Sequence, residues 1–420
     1  MKALLSIFLL LAITANAANR YVRRDASGAA TGANWTDAFT TMSVGSLTRG
    51  DTYYIADGNY PGGTWNTAAS GTTLITVKKA TVADHGTSTG WSDGYGDGQA
   101  IFTNAITIAT DYWYLDGQVG DYASSTPYGF KISTSVNGAP AGIGLHFYNG
   151  GQGSTARHIE IAGPNQTTNE YAFTAETTGC TSWTGAKNIL ISHCDINGFT
   201  TGFDSVSDWI IEYCYIRNLR SSNAGTHENV YYCGYGTTNV HFRYNHASNY
   251  DAEGFFMTYF NGSPRDIYIY GNTFTSGGDN AKGVIFRADG NFTNIYVFNN
   301  SFGPLTGLAI YNQTGESGHY TTNCYVTNNL TFGSSTSLGD LLAGYNTNAV
   351  SNPWVNYTNG NWNLTASIPG IALASQYNTD PNGVTRGADG VWDVGAVEYS
   401  GTNPPASSGG NSKFGTIYLR

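Results

Sequence analysis

The chain has 420 residues, a formal net charge of −10 and only 11% charged residues, against about 25% in an average globular protein. With an acidic balance and no basic tract, the composition excludes nucleic acid as a partner, and solubility has to come from Asn, Thr, Ser, Tyr and Gly. Beyond the first 17 residues no run is long and apolar enough for a membrane-spanning helix.

The opening MKALLSIFLLLAITANA combines a basic Lys2, a short apolar run and small residues at Ala15 and Ala17. It reads as a secretory signal peptide over 1–17, which predicts a secreted or cell-surface protein. Five cysteines leave at least one without an internal partner, and their spacing lacks the paired pattern of a zinc site.

From there to about residue 399 no window supports a long amphipathic helix, because Gly, Asn and Thr interrupt every one. Short β-rich phrases recur instead: NILISHC from Asn188, DWIIEYC from Asp208, NVHFRYN from Asn239, DIYIYGN from Asp266, NIYVFNN from Asn294 and NCYVTNN from Asn323. Their starts are 20, 31, 27, 28 and 29 residues apart. A constant phrase at variable steps predicts solenoid coils whose loops differ in length.

Stacking the coils as parallel strands superposes the last residue of each phrase, at about 4.8 Å per rung. That column reads Cys194, Cys214, Asn245, Asn272, Asn300 and Asn329. Asparagine at a bend can pair its amide with the coils above and below, satisfying backbone groups that the turn leaves open. Cys194 over Cys214 fills the same space as buried thiols, the preferred reading, or as a disulfide. Alternation sends Ile267, Ile269, Ile295 and Val297 inward and stacks Tyr268, Tyr296, Tyr325 and His241 outward.

With these phrases stand YVRRDASGAATGANWTDAFT and RGDTYYIADGNYPGG near the N-terminus and GVWDVGAVEY at 390–399. Together they resemble the right-handed parallel β-helix superfamily, the pectate-lyase-like fold, in its exported bacterial form. The resemblance implies an all-β chain, one right-handed parallel β-helix with an Asn ladder spanning 18–399. SGTNPPASSGG then reads as part of a flexible tail over 400–420. The fold hosts lyases, hydrolases, epimerases and adhesins, so function has to be argued from a site.

A second set of runs lies between the phrases: THENVYY from Thr226, DAEGFFM from Asp251 and NAKGVIF from Asn280. Their alignment predicts Glu228, Glu253 and Lys282 at one phase of three coils, with Asp251 two residues earlier and Arg287 just beyond. Carboxylates at rung spacing can hold calcium through oxygen ligands, with Asp251 and Glu253 as the metal candidates. Lys282, Arg287 and Glu228 are the candidate catalytic residues, the two cations serving to neutralise a uronate carboxylate and ease removal of its α-proton. The competing reading is a mutually compensating ion stack without chemistry.

The order EGFF, NTF, FRADGN faintly resembles the alginate lyase and chondroitinase B branch, which implies calcium at Glu253 and a catalytic Arg287. The chain departs from that branch in lacking a lysine within MTYFNGSPRD and a second glutamate beside Glu253. GGDNAKG lacks the Asp-Asp pair and Gly-His-Gly turn of a polygalacturonase. Tyr268, Tyr296 and His241 are candidate substrate-binding rings, or rings covered by loops. The expected function is a secreted, polysaccharide-active protein, a lyase on a uronate-containing polymer. The alternative is a non-catalytic adhesin, glycan-binding or fibre-forming protein capable of self-association.

Overall fold

The computed structural model describes residues 17–43, 45–121, 127–134, 142–164, 178–182, 185–204, 206–220, 228–259, 262–276, 278, 280–287, 289–314 and 320–401. The signal peptide, the tail beyond 401, Thr226 and His227 therefore lie outside, apart from Ala17 and the tail's first two residues. Each coil lays one strand into each of three parallel sheets; one full coil is Thr238–Arg243, His246–Tyr250 and Glu253–Met257. Among the described residues these sheets hold 13, 11 and 10 strands, here sheets 1, 2 and 3 in the order the chain visits them.

The repeated phrases pair residue on residue. Ile267 stands opposite Ile295, Tyr268 opposite Tyr296 and Ile269 opposite Val297. All four inward aliphatics are fully buried, each worth about 1.5–3 kcal/mol relative to exposure. Sheet 2 contributes a matching column from its own wall, with Phe274 stacked on Phe302 at 5.1 Å.

Two left-handed residues per coil explain why the phrases begin and end as they do. Asn188, Asp208, Asn239, Asp266, Asn294 and Asn323 all sit at φ between 53 and 58°, a region that Asn and Asp enter more readily than other residues with a Cβ. A second left-handed residue precedes each ladder position, and there the chain bends from sheet 1 into sheet 2.

The ladder is continuous from Asn245 through Asn272, Asn300 and Asn329, and extends one coil further to Asn346. Asn272 is typical. Its Nδ2 donates to the Phe242 carbonyl at 2.8 Å and to Asn300 Oδ1 at 3.0 Å. Its Oδ1 accepts from the Asn245 backbone N–H at 2.9 Å. In the two upstream coils Cys194 and Cys214 take this place as free, buried thiols, their sulfurs 3.3 Å from the carbonyls of Ser192 and Glu212.

After the last coil an antiparallel hairpin, Trp354–Asn356 with Asn361–Leu364, turns back along the helix. The closing motif is held by Arg386, which is buried, pairs with Glu398 at 3.4 Å and donates to the backbone carbonyls of Asp393, Gly395 and Ala396. Leu373, Tyr377 and Trp392 from this segment pack onto Tyr244, Tyr270, Tyr296 and Phe298 of sheet 1.

Candidate functional site

Glu253 and Lys282 are direct partners in sheet 3. The residue after each is glycine for a steric reason: a Cβ on Gly254 would lie 2.9 Å from Phe274, and one on Gly283 2.5 Å from Phe302. The core side of this corner is therefore taken by glycine, and the preceding Glu253 and Lys282 face outward. They form an ion pair at 3.4 Å, with side chains 14% and 19% exposed.

Glu228 does not join them. The sheet register pairs Tyr231 with Phe255, and the Val230 N–H donates to the Glu253 carbonyl. Continued two residues back, that register sets Asn229, not Glu228, opposite Glu253. The alignment in the sequence is one residue out from this register.

Asp251 lies in the turn between sheets 2 and 3 and pairs with Arg220 at 2.5 Å. Both expected metal ligands are thus neutralised by cations from neighbouring coils. Among the described residues no group of three His, Cys, Asp or Glu side chains could hold a metal ion. This donor set does not fit calcium.

Arg287 follows the strand Lys282–Phe286 and is 47% exposed, with Asp289 at 3.5 Å. Its guanidinium stands 5.9 Å from the centre of the Phe256 ring. Phe256 belongs to an outward column of sheet 3 that the sequence reading missed: His146, Thr181, Asp204, Tyr232, Phe256, Ile285 and Tyr311 in successive coils. The Tyr232 and Phe256 rings are 5.8 Å apart. Burial pushes His146 down to about 4, so its imidazole is neutral at physiological pH. The only signal for this column was alternation within single strands, and its first two members, His146 and Thr181, lie in coils where the repeated phrase is absent.

The tyrosine stack forms as expected. His241 stacks on Tyr268 at 4.6 Å, Tyr268 on Tyr296 at 4.9 Å and Tyr296 on Tyr325 at 5.7 Å. Tyr296 is nevertheless only 5% exposed, because the closing segment roofs it. Burial also drives His241 down to about 4. These rings pack the roof to the coil rather than offering an open platform. Glu212 and Arg243 pair at 2.6 Å on the same sheet.

No protein-family model matches this sequence, and no curated protein matches it. Among solved structures, pectate lyase Pel9A aligns over 92% of this chain and 97% of its own, at 14% identity and a TM-score of 0.52. A rhamnogalacturonan lyase aligns over 92% of this chain and 96% of its own at 13% identity. Its TM-score of 0.37 is too low to carry an argument. At these identities the likeness is one of fold. Parallel coils stacked through three sheets, together with the Pel9A alignment, make this chain a pectate-lyase-like, right-handed parallel β-helix.

Proposed function

We propose that this protein is an exported polysaccharide-active protein that cleaves a uronate-containing polymer by β-elimination on the outer face of sheet 3. The observation that carries the reading is Arg287, a half-exposed guanidinium at the edge of an aromatic strip, in a chain with only 19 basic residues. A guanidinium grips a carboxylate with two parallel hydrogen bonds. Held so, a uronate carboxylate can accept the charge that develops when its α-proton leaves. The half-buried Tyr232 ring, backed by the buried Phe256, supplies flat apolar surface for the sugar's C–H face.

Lys282 is less suited to this role because it and its partner Glu253 are only 19% and 14% exposed, whereas Arg287 is 47% exposed. Proton acceptors on the same strip are Tyr232, one rung from Phe256, and Asp204, a further rung away. The acceptor takes the α-proton, the C4–C5 double bond forms as the C4–O bond breaks, and the departing glycosidic oxygen takes up a proton from water to become a hydroxyl, leaving an unsaturated uronate at the new chain end.

Pectate, alginate and glycosaminoglycans, each assayed with and without calcium for absorbance of unsaturated ends, test the proposal. Product from one of them, reduced at least 100-fold in R287A and much less in K282M, is expected. D204N and Y232F then separate the two acceptors. The absence of product from every acidic polymer overturns the lyase reading.

The second reading is a non-catalytic, glycan-binding or fibre-forming protein. It is favoured by the ion pairing of Asp251 and Glu253, the acids first expected at the site. Binding without turnover in the same screen, or concentration-dependent association in sedimentation, would select it.

A further inference from the structure

The corner between sheets 1 and 2 presents one left-handed residue per coil: His158, His193, Tyr213, Tyr244 and then Gly271. The first four form a continuous line of rings, with centroids 5.2, 4.9 and 5.2 Å apart. Gly271 breaks the line. Its φ is 65°, and a Cβ there would lie 2.5 Å from the Tyr244 ring, so no side chain can continue the column.

Past this gap the column is covered again. Trp392 Nε1 donates to Asn299 Oδ1 at 3.4 Å, and Asn328 Nδ2 donates to the Ile371 carbonyl at 2.6 Å. At Gly271 itself the hairpin turn and the loop at Pro381–Asn382 stand off from the corner instead of filling it. The result is a cleft of about 330 Å³, whose walls include Tyr244, Thr273, Asn361, Trp362, Asn363 and Asn382. Asn382 Nδ2 donates to Asn363 Oδ1 at 3.2 Å and ties the two outer walls together.

The chemistry of this cleft is uniform. No Asp, Glu, Lys, Arg or His lines it. Its rim is built of exposed asparagines, whose amides both donate and accept as a sugar hydroxyl does. Trp362, only 4% exposed, backs the cleft wall with its indole ring. A carboxylate entering here would lose its hydration with no cation to replace it.

We propose that this cleft is a binding site for a neutral oligosaccharide. The ring line His158, His193, Tyr213 and Tyr244 runs along the helix axis up to the cleft, which Tyr244 lines. One ring per rung, about 4.8 Å apart, is comparable with the advance of a pyranose chain by one residue. The site lies on a different corner from the Arg287 strip, so the protein would hold a neutral glycan on one face and meet its acidic polymer on another.

Calorimetric titration of the full chain with neutral gluco-, xylo-, manno- and galacto-oligosaccharides, and with oligogalacturonate, tests this. One neutral series is expected to bind, with affinity unchanged in R287A and not displaced by oligogalacturonate. The double variant N361A/N382A, confined to exposed side chains, is expected to weaken binding at least tenfold with an unchanged melting temperature. The proposal is overturned if no neutral series binds, if N361A/N382A binds as well as the parent, or if oligogalacturonate competes. Loss of cleavage in R287A with neutral binding intact would leave this site standing.

Discussion

Replacing Asn272 by alanine should remove a fixed set of bonds from the centre of the ladder. The Asn272 side chain makes four: to the Phe242 carbonyl, to Asn300 Oδ1, and from the backbone N–H and Nδ2 of Asn245. Two partners have other bonds. Asn245 Nδ2 keeps the Ile211 carbonyl at 2.9 Å, and Asn300 Oδ1 keeps the Asn272 backbone N–H at 3.0 Å. The backbone N–H of Asn245 and the carbonyl of Phe242 lose their side-chain partner at residues the coil buries. An orphaned buried group costs about 1–3 kcal/mol, so N272A should lose about 4 kcal/mol. The assay is urea unfolding followed in parallel by tryptophan fluorescence and far-UV circular dichroism. A control variant, N294G, removes an amide from the outer column but suits the left-handed backbone there, and should lose less than about 1 kcal/mol. A loss below about 1 kcal/mol in N272A, or equal losses in both variants, would refute the view that the amide column satisfies the turns.

Three further outcomes follow from packing and charge. Native protein should leave all five thiols unreacted with Ellman's reagent, and unfolding should release five equivalents, because every cysteine is buried and free; fast labelling in the native state would contradict the ladder placement of Cys194 and Cys214. Burial lowers His246 to about 4, against about 6.5 when unfolded. The unfolded state therefore binds the proton first, and stability should be lost as pH falls from 6.5 to 4. His246→Gln should remove about 3 kcal/mol of that dependence, measured by urea unfolding across the pH range; an unchanged slope would count against it. Tyr377 packs at 5.2 Å from Tyr270 and 4.8 Å from Phe298, so Y377A should loosen the roof and speed chymotryptic cleavage within 365–399 at least tenfold. Unchanged cleavage would show that Arg386 and Trp392 hold the segment alone.

The coil was legible in the sequence because its requirements are local and repeat. Each turn needs a left-handed residue, a ladder residue and an inward alternation, and Asp266–Phe274 and Asn294–Phe302 spell those needs in nearly the same letters. The pairing of Glu253 with Lys282 could be read for the same reason. Glu228 could not be placed, since one residue more or less in a turn shifts the register without disturbing the pattern. What covers the tyrosine column was decided only in the tertiary structure. The bond from the Tyr244 hydroxyl to the Thr379 carbonyl at 3.0 Å joins residues 135 positions apart. The closing segment has no period that announces its destination; it finds a surface that exists only after the coils have stacked. Local backbone preference wrote the rod into the sequence, whereas the roof, the cleft beside Gly271 and the pairing of Asp251 with Arg220 depend on which distant side chains the finished rod brings within reach.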